Sequence, residues 1–250
     1  MSIVKYIPNT ITSINLLCGV MGVIAAFEGK PDISFYLMLA AAAFDFCDGL
    51  SARLLNAYSN IGKELDSLCD MVSFGVLPAI LLHRMMIETG TDGFLSYLPL
   101  AIAVFSGLRL AKFNIDERQS ENFIGLATPA CAILCASFVS YASGNPESVL
   151  YNWASCRFFI PIGSFILSAL LVSNIPMFSM KFKKNAQNAA HYNRLRIAFA
   201  VLAAISVSAT AILKLNWQFA VILTFVSYII LNIFGALLPG SMQDNDKQNG

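Results

Sequence analysis

Four aspartates, Asp45, Asp48, Asp66 and Asp70, fall within the 26-residue stretch DFCDGLSARLLNAYSNIGKELDSLCD, at the edges of segments otherwise apolar enough for a lipid bilayer. Ionised carboxylates at membrane depth are costly, so four together call for bound cations. Asp45 and Asp48 stand three apart and Asp66 and Asp70 four apart, which puts each pair on one face of its own helix. All four offer oxygen, with no histidine or cysteine among them, a set suited to Mg²⁺, Mn²⁺ or Ca²⁺ and unsuited to zinc. Gly49, Ala52 and Gly62 withhold side-chain bulk where a ligand or a second backbone approaches, and Arg53 adds a planar cation suited to phosphate. Acids for metal, small residues for access and an arginine for anions describe a metal-diphosphate pocket. Tight helix packing is the alternative use of the small residues.

The elements that must hold these groups are membrane helices. The chain is 57% hydrophobic and 12% charged with a mean hydropathy of +0.66, far from the balance of a soluble domain. A net charge of +1 gives no reason to expect nucleic acid. Six cysteines without a CxxC pair read as buried free thiols rather than as a disulfide or zinc framework. Eight segments have the length and apolar content of a span: 9–27, 33–55, 66–88, 95–115, 123–143, 150–173, 194–213 and 216–238. The expected fold is an all-α polytopic bundle: one integral-membrane domain over 1–240, then a polar tail over 241–250. The first apolar run, with only Lys5 before it and further spans after it, reads as a helix rather than a removable signal. Pro8 is expected to break the helix, leaving residues 2–7 along the membrane surface before the first span begins.

Of the 16 lysines and arginines, 12 fall on the side of the N-terminus: Lys5, Arg53, Lys63, Arg109, Lys112, Arg118, Lys181, Lys183, Lys184, Arg194, Arg196 and Lys247. The positive-inside rule then makes both termini cytoplasmic, along with the acid-bearing turn. A loop of about a dozen residues would make the second and third spans antiparallel neighbours, so that all four acids converge at the cytoplasmic interface. Asn9, Thr12 and Asn15 share a face of the first span and either line the pocket or bond between helices. Arg109 and Lys112, three apart at the cytoplasmic end of the fourth span, either hold an anion or anchor the span. His83 and His191 are given no catalytic role, and the lysine run at 181–184 reads as an orientation signal or an anionic-lipid contact.

The acid-bearing stretch resembles, without a gap, the pattern D-x2-D-G-x2-A-R-x8-G-x3-D-x3-D of the CDP-alcohol phosphatidyltransferase family, through Asp45, Asp48, Gly49, Ala52, Arg53, Gly62, Asp66 and Asp70. IPNTITSINLLCG, DSLCDMVSFGVLPA, GLRLAKFNI, FIGLATPA and IPMFSMKFK further resemble the phosphatidylserine synthase branch, as does the number of spans, over about residues 7–184. Lys112 departs from the branch's usual arginine and Ala127 from its usual proline, which puts the local loop shape in question.

The resemblance implies metal-dependent transfer of a phosphatidyl group from CDP-diacylglycerol to L-serine, releasing CMP. Asp45, Asp48, Asp66 and Asp70 would hold Mg²⁺ or Mn²⁺, and Asp70 would also be the base for the serine hydroxyl. Gly49, Ala52, Arg53 and Gly62, with Thr12 and Asn15, would contact the CDP and its phosphates. Arg109 and Lys112 would meet the acceptor or a lipid phosphate. A homodimer in the inner membrane with its active site at the cytoplasmic face completes the expectation. Glycerol 3-phosphate or an inositol compound is the alternative acceptor. A transporter with a cytoplasmic cation site is the alternative class, against which stands the clustering of the acids at one edge with no counterpart in the second half.

Overall fold

The computed structural model describes residues 6–115, 123–178 and 189–237. Lys5, Arg118, the 181–184 run and the 241–250 tail lie outside them, as does the side chain of His191. In chain order the helices are α1 (Tyr6–Phe27), α2 (Pro31–Leu54), α3 (Asn60–Asp70), α4 (Leu77–Glu88), α5 (Phe94–Tyr97), α6 (Ala101–Ile115), α7 (Thr128–Gly144), α8 (Val149–Ala154), α9 (Phe159–Val172), α10 (Ala189–Ile212) and α11 (Trp217–Leu237). A π-helical stretch, Met71–Val76, joins α3 to α4 without a break. Two short strands, β1 (Phe123–Ile124) and β2 (Pro176–Met177), pair antiparallel.

Among the described residues, six helical stretches are long and apolar enough to cross a membrane: Tyr6–Phe27, Pro31–Leu54, Asn60–Glu88, Phe94–Ile115, Asn193–Ile212 and Trp217–Gly235. Two shorter apolar helices, Thr128–Gly144 and Phe159–Val172, stand where the fifth and sixth segments were expected. Both were expected to be longer, for different reasons. Residues 123–127 are apolar but form a short strand and a turn rather than helix, so α7 begins only at Thr128. The sixth segment is interrupted after Ala154, which leaves α8 and α9 as separate helices. Many large apolar side chains are exposed, among them Leu17, Ile24, Phe46, Val104, Ile205 and Phe234, as befits a surface solvated by hydrocarbon.

Two further boundaries differ from expectation. α1 starts at Tyr6 and runs through Pro8, which sits in the first turn, where its missing N–H costs no intrahelical bond. α3 starts at Asn60, so the link from α2 is five residues, 55–59, rather than a dozen. The Ser59 hydroxyl caps α3 by accepting the Gly62 N–H at 2.9 Å, which lets polar residues continue the helix below the apolar span.

The core gathers around α4 and α7, with Phe35, Phe74, Leu77, Met85, Ile102 and Leu171 fully enclosed. α1 lies against α2 and against the π-helical stretch. A Cβ at Gly19 would collide with the Ser73 side chain, so this approach requires glycine. Across the same contact the Ser73 hydroxyl donates to the Asn15 carbonyl at 3.1 Å. At the start of α7, Gly125 has φ +77°, and a Cβ there would lie 2.6 Å from the Leu171 carbonyl oxygen. Only glycine suits that turn. Two residues on, Ala127 has φ −65° and ψ 132°, a conformation that proline also adopts. The six cysteines are free, but Cys47 and Cys156 are exposed rather than buried.

Candidate active site

α1 packs against both α2 and α3, which meet at the short link, and this brings the acids together. One carboxylate oxygen each from Asp45, Asp48 and Asp66 lies within 4.8 Å of the others. Asp70, one turn deeper on α3, is outside that group but within electrostatic reach of all three. It is buried, and the Asn15 side-chain amide donates to its Oδ1 at 3.3 Å. Thr12 is within hydrogen-bonding reach of Asp48. The face of α1 bearing Asn9, Thr12 and Asn15 therefore looks onto the acids.

The donor set fits a hard divalent cation. Asp48 Oδ2 and Asp66 Oδ1 are enclosed and have no hydrogen-bond partner, and the side-chain Oδ1 of Asn15 is likewise unmet. Buried carboxylate oxygens without donors are costly, and a cation satisfies them.

Beside the acids a cleft of about 210 Å³ opens, lined by Thr12, Asp48, Gly49, Ala52, Gly62 and Asp66 together with Tyr58, Ser59 and Lys63. The two glycines serve different ends. A Cβ at Gly62 would lie 2.9 Å from Asn9 Oδ1 and from Ser59 Oγ, so this glycine permits a close contact within the chain. A Cβ at Gly49 would meet nothing within 4 Å. Helix packing therefore does not account for Gly49, which faces open cleft. Arg53 is exposed on the last turn of α2 and does not line the cleft.

Arg109 on α6 is within electrostatic reach of Asp70, and Lys112 follows three residues along the same helix. Arg109 is 7% exposed; its Nη1 donates to Thr128 Oγ1 at 2.9 Å, the Phe113 ring lies 5.7 Å from its Cζ, and its Nε has no partner. A guanidinium enclosed in this way retains capacity for an anion. Lys112 Nζ donates to Asn174 Oδ1 at 3.2 Å. Lys63 Nζ donates to the Asn114 carbonyl and Asn114 Nδ2 to Ser67 Oγ, each at 2.9 Å, tying α3 to the end of α6. His83 lies away from the acids, its Nδ1 2.7 Å from the Ser96 carbonyl and its ring stacked on Tyr97.

Three features escape sequence reasoning: the lining role of Tyr58, Ser59 and Lys63, the Thr128 contact to Arg109, and the π-helical stretch directly after Asp70. A serine just before a helical polar stretch was the available signal for the first. π-helical turns cluster at functional sites, and this one sets the phase between the acids and the buried part of α4.

The pattern of the CDP-alcohol phosphatidyltransferases matches residues 5–160, which takes in the acids, the cleft and Arg109. The chain belongs to the CDP-alcohol phosphatidyltransferase family. Within that family, a CDP-diacylglycerol–serine O-phosphatidyltransferase of Mycobacterium leprae is 31% identical over 259 residues, covering 98% of this chain and 81% of its own length. A protein of the same name from Bacillus subtilis is 33% identical over 183 residues, covering 73% of this chain and 94% of its own. An archaetidylserine synthase of Methanothermobacter thermautotrophicus is 31% identical over 172 residues, with 68% coverage of each. As a CDP-alcohol phosphatidyltransferase the chain is an enzyme of lipid synthesis, built from apolar helices suited to a membrane.

Proposed function

We propose that this enzyme transfers the phosphatidyl group of CDP-diacylglycerol to L-serine, giving phosphatidylserine and CMP. The observation that carries the reading is the convergence of Asp45, Asp48 and Asp66 beside a cleft that Gly49 leaves open. The names borne by the M. leprae, B. subtilis and archaeal relatives support serine as the acceptor.

Asp45, Asp48 and Asp66 would hold Mg²⁺ or Mn²⁺, which when bound offsets diphosphate charge and stabilises the departing CMP. Thr12, Gly49, Ala52 and Gly62 form the walls against which cytidine and its phosphates lie, and Arg53 waits at the rim as an electrostatic guide for the anion. Asp70, oriented by Asn15, takes the proton of the serine hydroxyl. The serine oxygen then forms its bond to the phosphatidyl phosphorus as the bond from that phosphorus to the CMP oxygen breaks. Arg109 and Lys112 face the serine carboxylate, and a place for Asp70 as a fourth carboxylate at the cation is part of the same proposal.

The same reading places eight spans in the inner membrane, α7 and α9 among them, within one domain over 1–240 followed by the polar 241–250 tail. Both termini and the cleft face the cytoplasm, where CMP and serine exchange with water, and two copies pair as a homodimer.

The test is direct. The purified protein is incubated with CDP-diacylglycerol, Mn²⁺ or Mg²⁺ and labelled alcohols. Lipid product and CMP with serine alone is the expected result; product only with glycerol 3-phosphate or an inositol compound overturns the acceptor.

The glycines give a second check. Gly49→Ala is expected to leave the unfolding midpoint unchanged and to raise KM for CDP-diacylglycerol about tenfold, the effect of roughly 1.4 kcal/mol of overpacking against a ligand. Gly62→Ala is expected to lower the midpoint instead, because its methyl must displace Asn9 or the Ser59 cap. Reversal of the two outcomes would show that the cleft is not where the nucleotide sits.

A further inference from the structure

α11 lies outside the span of the family match, which ends at residue 160, yet two of its side chains reach the acceptor side of the site. Asn232 is buried; its Oδ1 accepts the Phe178 N–H at 2.8 Å, while its Nδ2 donates to the Tyr228 carbonyl at 2.8 Å. One turn away, the Tyr228 hydroxyl donates to the Phe178 carbonyl at 3.3 Å. Both backbone groups of Phe178 are therefore held by side chains of a single helix. The grip is reinforced by rings: Phe178 meets Tyr228 edge to face at 5.1 Å and Phe199 of α10 at 5.8 Å.

What is gripped matters for the site. Phe178 lies in the segment that leaves α9, directly after β2. Asn174 in that segment accepts from Lys112 Nζ at 3.2 Å, and Pro176–Met177 pair with Phe123–Ile124, the strand that leads into Thr128, the partner of Arg109. Tyr228 is also within electrostatic reach of Arg109, which itself senses Asp70 on its other side. Both cations assigned to the acceptor are thus positioned by a segment that α11 holds in place.

Resting on the reading of Arg109 and Lys112 as the acceptor's cations, we infer that Tyr228 and Asn232 are positioning residues: by clamping Phe178 they set the acceptor pocket, so that α11 governs affinity for the alcohol and not for the nucleotide. The two side chains act as one clamp, and losing either frees the same backbone.

The test uses the full-length enzyme in lipid nanodiscs with Tyr228→Phe, Asn232→Ala and the double variant, and with whichever alcohol the unmodified enzyme accepts. Each single variant is expected to raise KM for that alcohol about fivefold, the equivalent of losing one hydrogen bond of about 1 kcal/mol, with KM for CDP-diacylglycerol within twofold of the parent. The double variant is expected to be no worse than about the larger single effect, as groups sharing one function are not additive. Tyr228→Phe keeps the ring and its edge-to-face contacts, so it folds even if Asn232→Ala does not. An unchanged alcohol KM in Tyr228→Phe, or an equal rise for both substrates, overturns the inference. Should the unmodified enzyme prefer an alcohol other than serine, the acceptor assignment falls while the clamp is still judged by that alcohol's KM.

Discussion

Asp48→Asn is expected to lower kcat by about 10³ or more, and the metal-free protein is expected to be no less stable for it. Both halves follow from one observation: Asp48 Oδ2 is buried without a hydrogen-bond donor, within a group of three carboxylates spanning 4.8 Å. Without a cation these acids repel one another, so replacing one by its neutral isostere relieves the empty fold. With a cation the same acid is a ligand, and the several kcal/mol of charge stabilisation that a metal supplies at a phosphoryl centre corresponds to about three decades in rate. The measurement pairs turnover with thermal unfolding with and without Mn²⁺. At a concentration 100 times its dissociation constant the ion stabilises the parent by about 2.7 kcal/mol, and in Asp48→Asn that shift should vanish. Asp66→Asn should behave alike, since Asp66 Oδ1 is enclosed and unmet in the same way. A variant that kept both turnover and the Mn²⁺ shift would exclude the cluster as the metal centre.

Asp70→Asn is expected to lower kcat by about 10² to 10⁴, the range for removing a general base, with little change in KM for either substrate. Its response to Mn²⁺ separates the two roles given to this residue. Asp70 lies outside the close group of three and already accepts from Asn15, so the metal-induced stabilisation is expected to persist. Loss of that shift would make Asp70 a ligand in its own right. Full turnover would remove it as the base.

The acids were legible because helical periodicity turns spacings of three and four into shared faces, and a tight link between helices brings two faces together. Hydropathy, however, sees only the hydrocarbon-facing part of a helix. It missed the polar first turns of α3, where Ser59 and Gly62 line the cleft, and it read the non-helical residues 123–127 as membrane helix because they are apolar. Gly49 and Gly62 look equivalent in sequence; their difference appears only once Asn9 is seen against one and open space against the other. Tyr228 and Asn232 stood no chance of being read, since their partner Phe178 is some fifty residues away, with no local pattern to join them.

The π-helical stretch Met71–Val76 bears on how this sequence tolerates change in length. A π turn accommodates one residue more than the α-helical path it replaces, and each helical residue turns the chain by about 100°. Deleting one residue between Met71 and Val76 would restore a regular helix and leave Asp66 and Asp70 close to their present phase over Leu77 and the core, because the wide turn already absorbs the extra residue. The same deletion within α4 would instead turn the acids by about 100° relative to the part of that helix beyond it. A change of length is therefore better tolerated in the π-helical stretch than in the regular helix that follows it.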